Sequence, residues 1–160
     1  MENFLTDIQI ENLIRAPKRI PLEFDEFFDR LKEKRGHKEF DYLLANDDGS
    51  LFIIRLRQST HQSLNFSAML AYQPANTFKQ IILTRYNGKS HDHCNREEKE
   101  EPFYDFHIHL ATEKYQRLRG RKPEHYATKT DRYATLREAF KCLIDDCNVS
   151  LQEDIQLKMF

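Results

Sequence analysis

Asp105, His107 and His109 stand two residues apart, and His91 and His93 repeat that spacing upstream. Four of the seven histidines thus fall between His91 and His109. An imidazole titrates near ~6.5, so a pair of them can exchange protons with a substrate at neutral pH. One chemistry open to these residues is metal-independent cleavage of a phosphodiester. One imidazole takes a proton from a ribose hydroxyl, another protonates the leaving oxygen, and Asp105 orients its neighbour. Arg55, Arg57, Arg85 and the cluster Arg117, Arg119 and Arg121 would hold the phosphate, while Tyr86, Tyr115 or Tyr126 would stack on an unpaired base. A second chemistry is metal binding by His91, His93, His107 and His109, with Asp92 or Asp105 as an oxygen donor or an outer partner. A third uses Cys94 beside His93 as a nucleophile, which needs a thiolate-stabilising environment.

The elements that must position these groups follow from periodicity. Side chains alternate across a strand, so a strand from Phe103 to Ala111 sets Asp105, His107 and His109 on one face and Phe106, Ile108 and Leu110 on the other. The segment Leu51 to Gln58 divides in the same way, with Arg55 and Arg57 opposite Phe52, Ile54 and Leu56, although Ile53 lies on the arginine side. It pairs with Phe40, Tyr42 and Leu44 through the turn Asn46-Asp47-Asp48-Gly49. Further strands are expected from Leu64 to Tyr72 and from Lys79 to Tyr86. Short connections favour an antiparallel meander of about five strands.

Helices are expected at both ends. Thr6 caps a segment with Ile10, Leu13 and Ile14 on one side, ending before Pro17. Phe24, Phe27, Phe28 and Leu31 continue at helical spacing towards a stop at Gly36. Thr135-Leu136-Arg137-Glu138 reads as a capping box before the stripe Leu136, Ala139, Phe140 and Leu143, which packs the last helix on the apolar sheet face. The charged stretch Asn95 to Glu101 reads as a solvent loop without chemistry, and Arg117 to Arg132 as an irregular segment that can wrap across the sheet. The fold class expected is α+β in one domain spanning residues 1–160.

Composition narrows the function classes. With 25 basic and 26 acidic residues the net charge is −1, so no chain-wide basic field exists to hold nucleic acid, and any polyanion site must be local. Three cysteines without a C-x-x-C pair fit reduced thiols in a cytoplasmic protein and argue against a thiolate zinc site. No apolar run approaches the ~18 residues of a membrane span, and no leader pattern opens the chain, so no membrane partner is expected.

Ordinary structural roles compete with each of these readings. Alternating histidines can be solvated surface residues, as His37, His61 and His125 are expected to be. Arg55 and Arg57 can pair with Glu39 and Asp41 across the hairpin, and the tyrosines can be packing residues with wet hydroxyls.

The segments Phe106-His-Ile-His109, Ala111-Thr-Glu113, Tyr115-Gln116, Thr130-Asp-Arg-Tyr133 and Cys142 to Asn148 resemble a small bacterial family catalogued as a domain of unknown function. The resemblance covers about the last 80 residues and implies no activity or ligand. The element order is similar to that of small ribonuclease toxins of bacterial toxin-antitoxin systems, from which the near-neutral charge departs. The reading that joins these features is a toxin-like or defence-associated domain that cleaves or binds RNA, with no cofactor, using His107 and His109 with Asp105. A non-catalytic module that docks a protein partner, such as a phage inhibitor or antitoxin-like protein, and a metal-dependent hydrolase are the alternatives.

Overall fold

The computed structural model of the chain describes residues 4–153. The fold is α+β. Helix α1 (Asp7–Arg15) starts at Thr6, whose hydroxyl accepts from the Gln9 amide while the Gln9 side chain accepts from the Thr6 amide. A two-residue strand β1 (Lys18–Arg19) follows, then helix α2 (Phe24–Asp29).

The second helix is shorter than its apolar spacing suggests. After Leu31 come only Lys32, Glu33, Lys34 and Arg35, which offer a helix nothing to bury. These residues instead form strand β2 (Lys32–Lys34), which turns back through Arg35 and Gly36 into β3 (His37–Ala45). Both turn residues have positive φ, 27° and 90°, as a two-residue hairpin turn of matching twist requires. Gly36 therefore closes a hairpin and does not end a helix.

The meander continues through β4 (Leu51–Ser59), β5 (Phe66–Gln73), β6 (Ile81–Asn87), β7 (His107–Leu110) and β8 (Ala127–Lys129). These strands lie in sequence order in one antiparallel sheet of seven, two more than expected because β2 and β8 are only three residues long. A short helix α3 (Glu113–Gln116) lies between β7 and β8. Helix α4 (Leu136–Asp146) leads to β9 (Val149–Ser150), which pairs in parallel with β1. Thr135 caps α4 as expected, but the Glu138 carboxylate reaches the Ala134 amide, one residue earlier than a capping box predicts.

One face of the sheet is apolar and carries the helices. Phe52, Ile54, Leu56, Ala68, Leu70, Leu83 and Tyr86 pack there beneath Ile10, Phe27, Phe140 and Leu143. Phe27 and Phe140 hold the layer together with ring centroids 4.8 Å apart. Lys18 is buried at the rim of this core. Its ammonium donates to the carbonyls of Leu13, Ile14, Ala16 and Cys147 at 2.7–2.9 Å, and burial lowers its pKa to about 8. Among the described residues no helix is long and apolar enough to cross a membrane.

The opposite face is polar, and its register aligns the groups of interest. One cross-strand row runs Asp41, Arg55, Met69, Arg85, His109, Ala127, and the next runs Glu39, Arg57, Ser67, Asn87, His107, Lys129. The connection from β6 to β7 leaves the sheet at Gly88, folds back over this face, and is pinned by an isolated bridge between His93 and Phe103. Gly88 lies against the preceding hairpin so closely that a Cβ there would sit 1.9 Å from the Leu64 carbonyl oxygen.

Gly88→Ala is expected to destabilise the protein by about 3 kcal/mol or more, because backbone has to move to admit the methyl. Gly120→Ala, at φ 75° with nothing within 4 Å, is expected to cost only about 1 kcal/mol of left-handed backbone. Urea midpoints of the two variants check this; equal losses would show that the contact at Gly88 relaxes freely.

Candidate metal centre and cationic cleft

His107 and His109 point away from the helices yet are buried, with 0% and 3% of their surface exposed. They are covered by the two connections on either side of β7. The β6–β7 connection lays His93 over them, with ring centroids 5.4 Å from His107 and 5.0 Å from His109, while the two strand histidines are 4.9 Å apart. The β7–β8 connection supplies Glu124 and His125. One ring nitrogen from each of His93, His107 and His109 lies within 4.8 Å of the other two.

The hydrogen bonds around the rings set which nitrogen of each carries the proton. His107 Nδ1 is 2.8 Å from the Asp105 carbonyl and His109 Nδ1 is 2.7 Å from the Glu124 carbonyl. A carbonyl only accepts, so both Nδ1 atoms carry the proton and both Nε2 atoms are bare lone pairs. His93 is turned the other way. Its Nε2 lies 2.9 Å from Asn95 Oδ1, and that amide is oriented by Ala127, whose N–H donates to Oδ1 and whose carbonyl accepts from Nδ2. His93 therefore donates from Nε2 and keeps its lone pair on Nδ1. The His109 lone pair is buried with no partner, and His107 Nε2 meets only the Asn87 amide at 3.5 Å.

Three neutral imidazoles grouped this closely, each with one unprotonated nitrogen, form a donor set suited to a divalent transition metal. Zinc–nitrogen bonds of about 2.0–2.1 Å put tetrahedral ligands about 3.3 Å apart, so the rings need to draw in by roughly 1 Å. Burial already keeps the imidazoles unprotonated. It lowers His93, His107 to about 4 and His109 to about 2, with the neighbouring Arg85 guanidinium acting in the same direction.

The remaining residues singled out by sequence divide sharply. His91 is exposed at the rim, its ring centroid 5.6 Å from His107, and stands outside the trio. Asp105 orients His107, but through its backbone carbonyl. Its carboxylate lines a separate depression with Lys129 and Arg132, because the strand begins only at His107 and the chain bends before it. Arg55 is held by both Asp41 oxygens at 2.8 Å and by Glu39, so the cross-strand explanation applies to it. Tyr86 is buried on the helix side with its hydroxyl on Asp146. Tyr115 is fully buried with its hydroxyl on Glu98, so neither ring is a stacking platform. Arg117 pairs with Glu113 and covers the Phe4 ring, and Arg119 and Tyr126 do not line the site. Arg57, Arg85 and Arg121 do line it.

His93 and His109 line a cleft of about 630 Å³ bordered by Arg85, Arg121, Lys122 and His125, with His107 buried behind them. A second depression of about 440 Å³ shares Arg85, His91 and Lys122 and extends the cleft over Asn87, Ser67 and Arg57. Glu124 is 2% exposed, with one carboxylate oxygen unpartnered, and is near enough to Arg85 to raise that side chain's pKa against the lowering by burial. Asn95, Glu124 and His125 are the site residues that sequence reasoning passed over. Asn95 sits in the charged stretch read as a solvent loop, yet is fully buried. No local pattern marks it beyond its place two residues after His93. No family model, curated protein or solved structure matches the chain.

Burial of neutral histidine makes folding sensitive to acid. These imidazoles have folded pKa values below the unfolded ~6.5, so their contribution to stability is complete above that pH and is lost as pH falls towards about 4 for His107 and about 2 for His109. The expected slope is up to about 1.4 kcal/mol per pH unit for each histidine. Urea midpoints of chelator-treated protein between about pH 7 and pH 5 should therefore fall more steeply than those of His107→Asn/His109→Asn. Parallel slopes would show that the rings are not held neutral.

Proposed function

We propose that this protein is a metal-dependent hydrolase whose centre is His93, His107 and His109. The observation that carries the reading is the buried Nε2 of His109, a lone pair without a hydrogen-bond donor, facing two further imidazoles whose proton positions leave lone pairs beside it. Leaving a buried acceptor unsatisfied costs about 1–3 kcal/mol, which a ligand bond to a cation removes. Catalytic zinc sites use three protein ligands and an open position, and here the open side is the cleft. A divalent ion held there would supply Lewis acidity at the mouth of the cleft.

The chain's own residues do the rest. The Asp105 and Glu124 carbonyls and the Asn95 amide hold the three rings in the ligating tautomers. Arg85, paired across strands with His109, stands ready to bind negative charge on a substrate, and the buried Glu124 carboxylate offsets part of the local positive charge. RNA cleavage by imidazole acid–base exchange is less well supported. It requires one strand histidine to be protonated near neutrality, and burial holds His107 to about 4 and His109 lower still.

Purified protein is expected to retain, or to rebind after chelation, about one equivalent of zinc or cobalt, with cobalt giving the visible spectrum of a low-coordinate nitrogen site. His93→Ala, His107→Ala and His109→Ala should each abolish tight binding, whereas His91→Ala and His125→Ala should not. Asn95→Ala should weaken affinity by about 10–100-fold through the loss of His93 orientation. Chromogenic ester, amide and phosphoester substrates then test turnover that is lost on chelation and in His109→Ala. Metal binding no tighter in wild type than in the trio variants would overturn the proposal.

A further inference from the structure

Arg85 is attracted by the nearby Glu124 carboxylate but is not hydrogen-bonded to it. It sits on the middle of β6, half-buried, with its Nε enclosed and unbonded, and it forms no hydrogen bond or ion pair among the described residues. In the same cross-strand row, two strands away, Arg55 is fully engaged by Asp41 and Glu39. An enclosed Nε without an acceptor is unfavourable, and the rest of the guanidinium faces the cleft, so an anion entering there would supply the acceptor that the fold does not.

We infer that the cleft binds a phosphate ester of nucleotide size, with Arg85 gripping one phosphate beside the histidine trio and Arg57 and Lys122 meeting a second anionic group along the groove. The inference deepens the hydrolase reading by naming its substrate class, but it stands on a different observation. Guanidinium planes match phosphate oxygens in a bidentate fork. The groove floor sets the length of the ligand. Arg57 lies in the row of Ser67, Asn87 and His107, two strands from β6, and strands are about 4.8 Å apart. The backbones of Arg57 and Arg85 are thus roughly 10 Å apart across the sheet, close enough for their long side chains to meet two phosphates of one ligand. Both described depressions are polar and meet at Arg85, His91 and Lys122. Of the tyrosines that would have stacked a base, Tyr86 and Tyr115 are buried and Tyr126 lines neither depression, so recognition rests on the phosphates.

Isothermal titration of the whole chain, metal-free and zinc-loaded, tests this with inorganic phosphate, adenosine monophosphate, adenosine 3′,5′-bisphosphate and a short oligoribonucleotide. The bisphosphate is expected to bind more tightly than the monophosphate, and Arg85→Gln to weaken both by about 10–100-fold, with partial recovery in Arg85→Lys. Arg57→Gln, at an exposed position, should weaken the bisphosphate more than the monophosphate, narrowing the difference between them; an equal loss for both would overturn the two-anchor assignment. An oligoribonucleotide that outcompetes the free nucleotides identifies a polymer as the source of the phosphate; the reverse order identifies a small molecule. Phosphate binding by a protein that takes up no metal would keep this assignment and overturn the hydrolase reading. Wild-type protein that binds none of the four ligands, or folded Arg85→Gln that binds them as wild type does, would overturn the assignment itself.

Discussion

A backbone carbonyl can accept a hydrogen bond but never donate one, and the polar centre of this molecule is built on that asymmetry. The carbonyls of Asp105 and Glu124 take the Nδ1 protons of His107 and His109, which strips the opposite nitrogens of any proton to give. Asn95 imposes the reverse choice on His93, because its amide is already committed to both backbone groups of Ala127. Three rings are thereby locked in fixed tautomers, and the acceptors of the two strand histidines are left with one long contact from the Asn87 amide to His107 and no donor at all for His109. Packing alone does not favour such an arrangement, since each dry acceptor is unfavourable by itself.

The sheet makes the arrangement stiff. Strand pairing puts Arg85 opposite His109 and Asn87 opposite His107, so the distances between these groups are set by backbone ladders and not by flexible side chains. The two connections flanking β7 then close over the pair. The first is tied to β8 through Asn95 and Ala127 and meets the second where His125 Nε2 lies 3.2 Å from the Cys94 carbonyl, while the bridge between His93 and Phe103 closes it on itself. The helices contribute nothing to the cleft directly. Their part is to bury the other face, where Phe27 and Phe140 meet, and so to fix which side of each strand is left for polar groups.

How much of this was legible follows from the range over which each signal acts. The two-residue period around His107 and His109 identified the polar face, and the cap at Thr135 identified the last helix, because both patterns are local. Asp105 fitted the same period but lies before the strand starts, where the chain bends and alternation no longer applies. Tyr86 alternated with Arg85 and was bound to fall on the helix side once Arg85 faced the cleft. Arg55 could be matched with Asp41 from the hairpin register. The contribution of Asn95 was not readable, since nothing in a charged loop tells that one amide will reach across to β8. Burial of Glu124 is equally silent in sequence, being created by the path of the whole connection.

The ammonium of Lys18 joins parts of the chain that are far apart in sequence. It gathers three carbonyls at the end of α1 and one, from Cys147, at the end of α4. β1 and β9 extend the same junction as a parallel pair. The opening and closing segments are consequently latched by a single charge, and neither can peel away without exposing the carbonyls that hold the other. Amide protons on the two sides should exchange with solvent in one shared opening event, so that the two ends of the described chain behave as one cooperative unit.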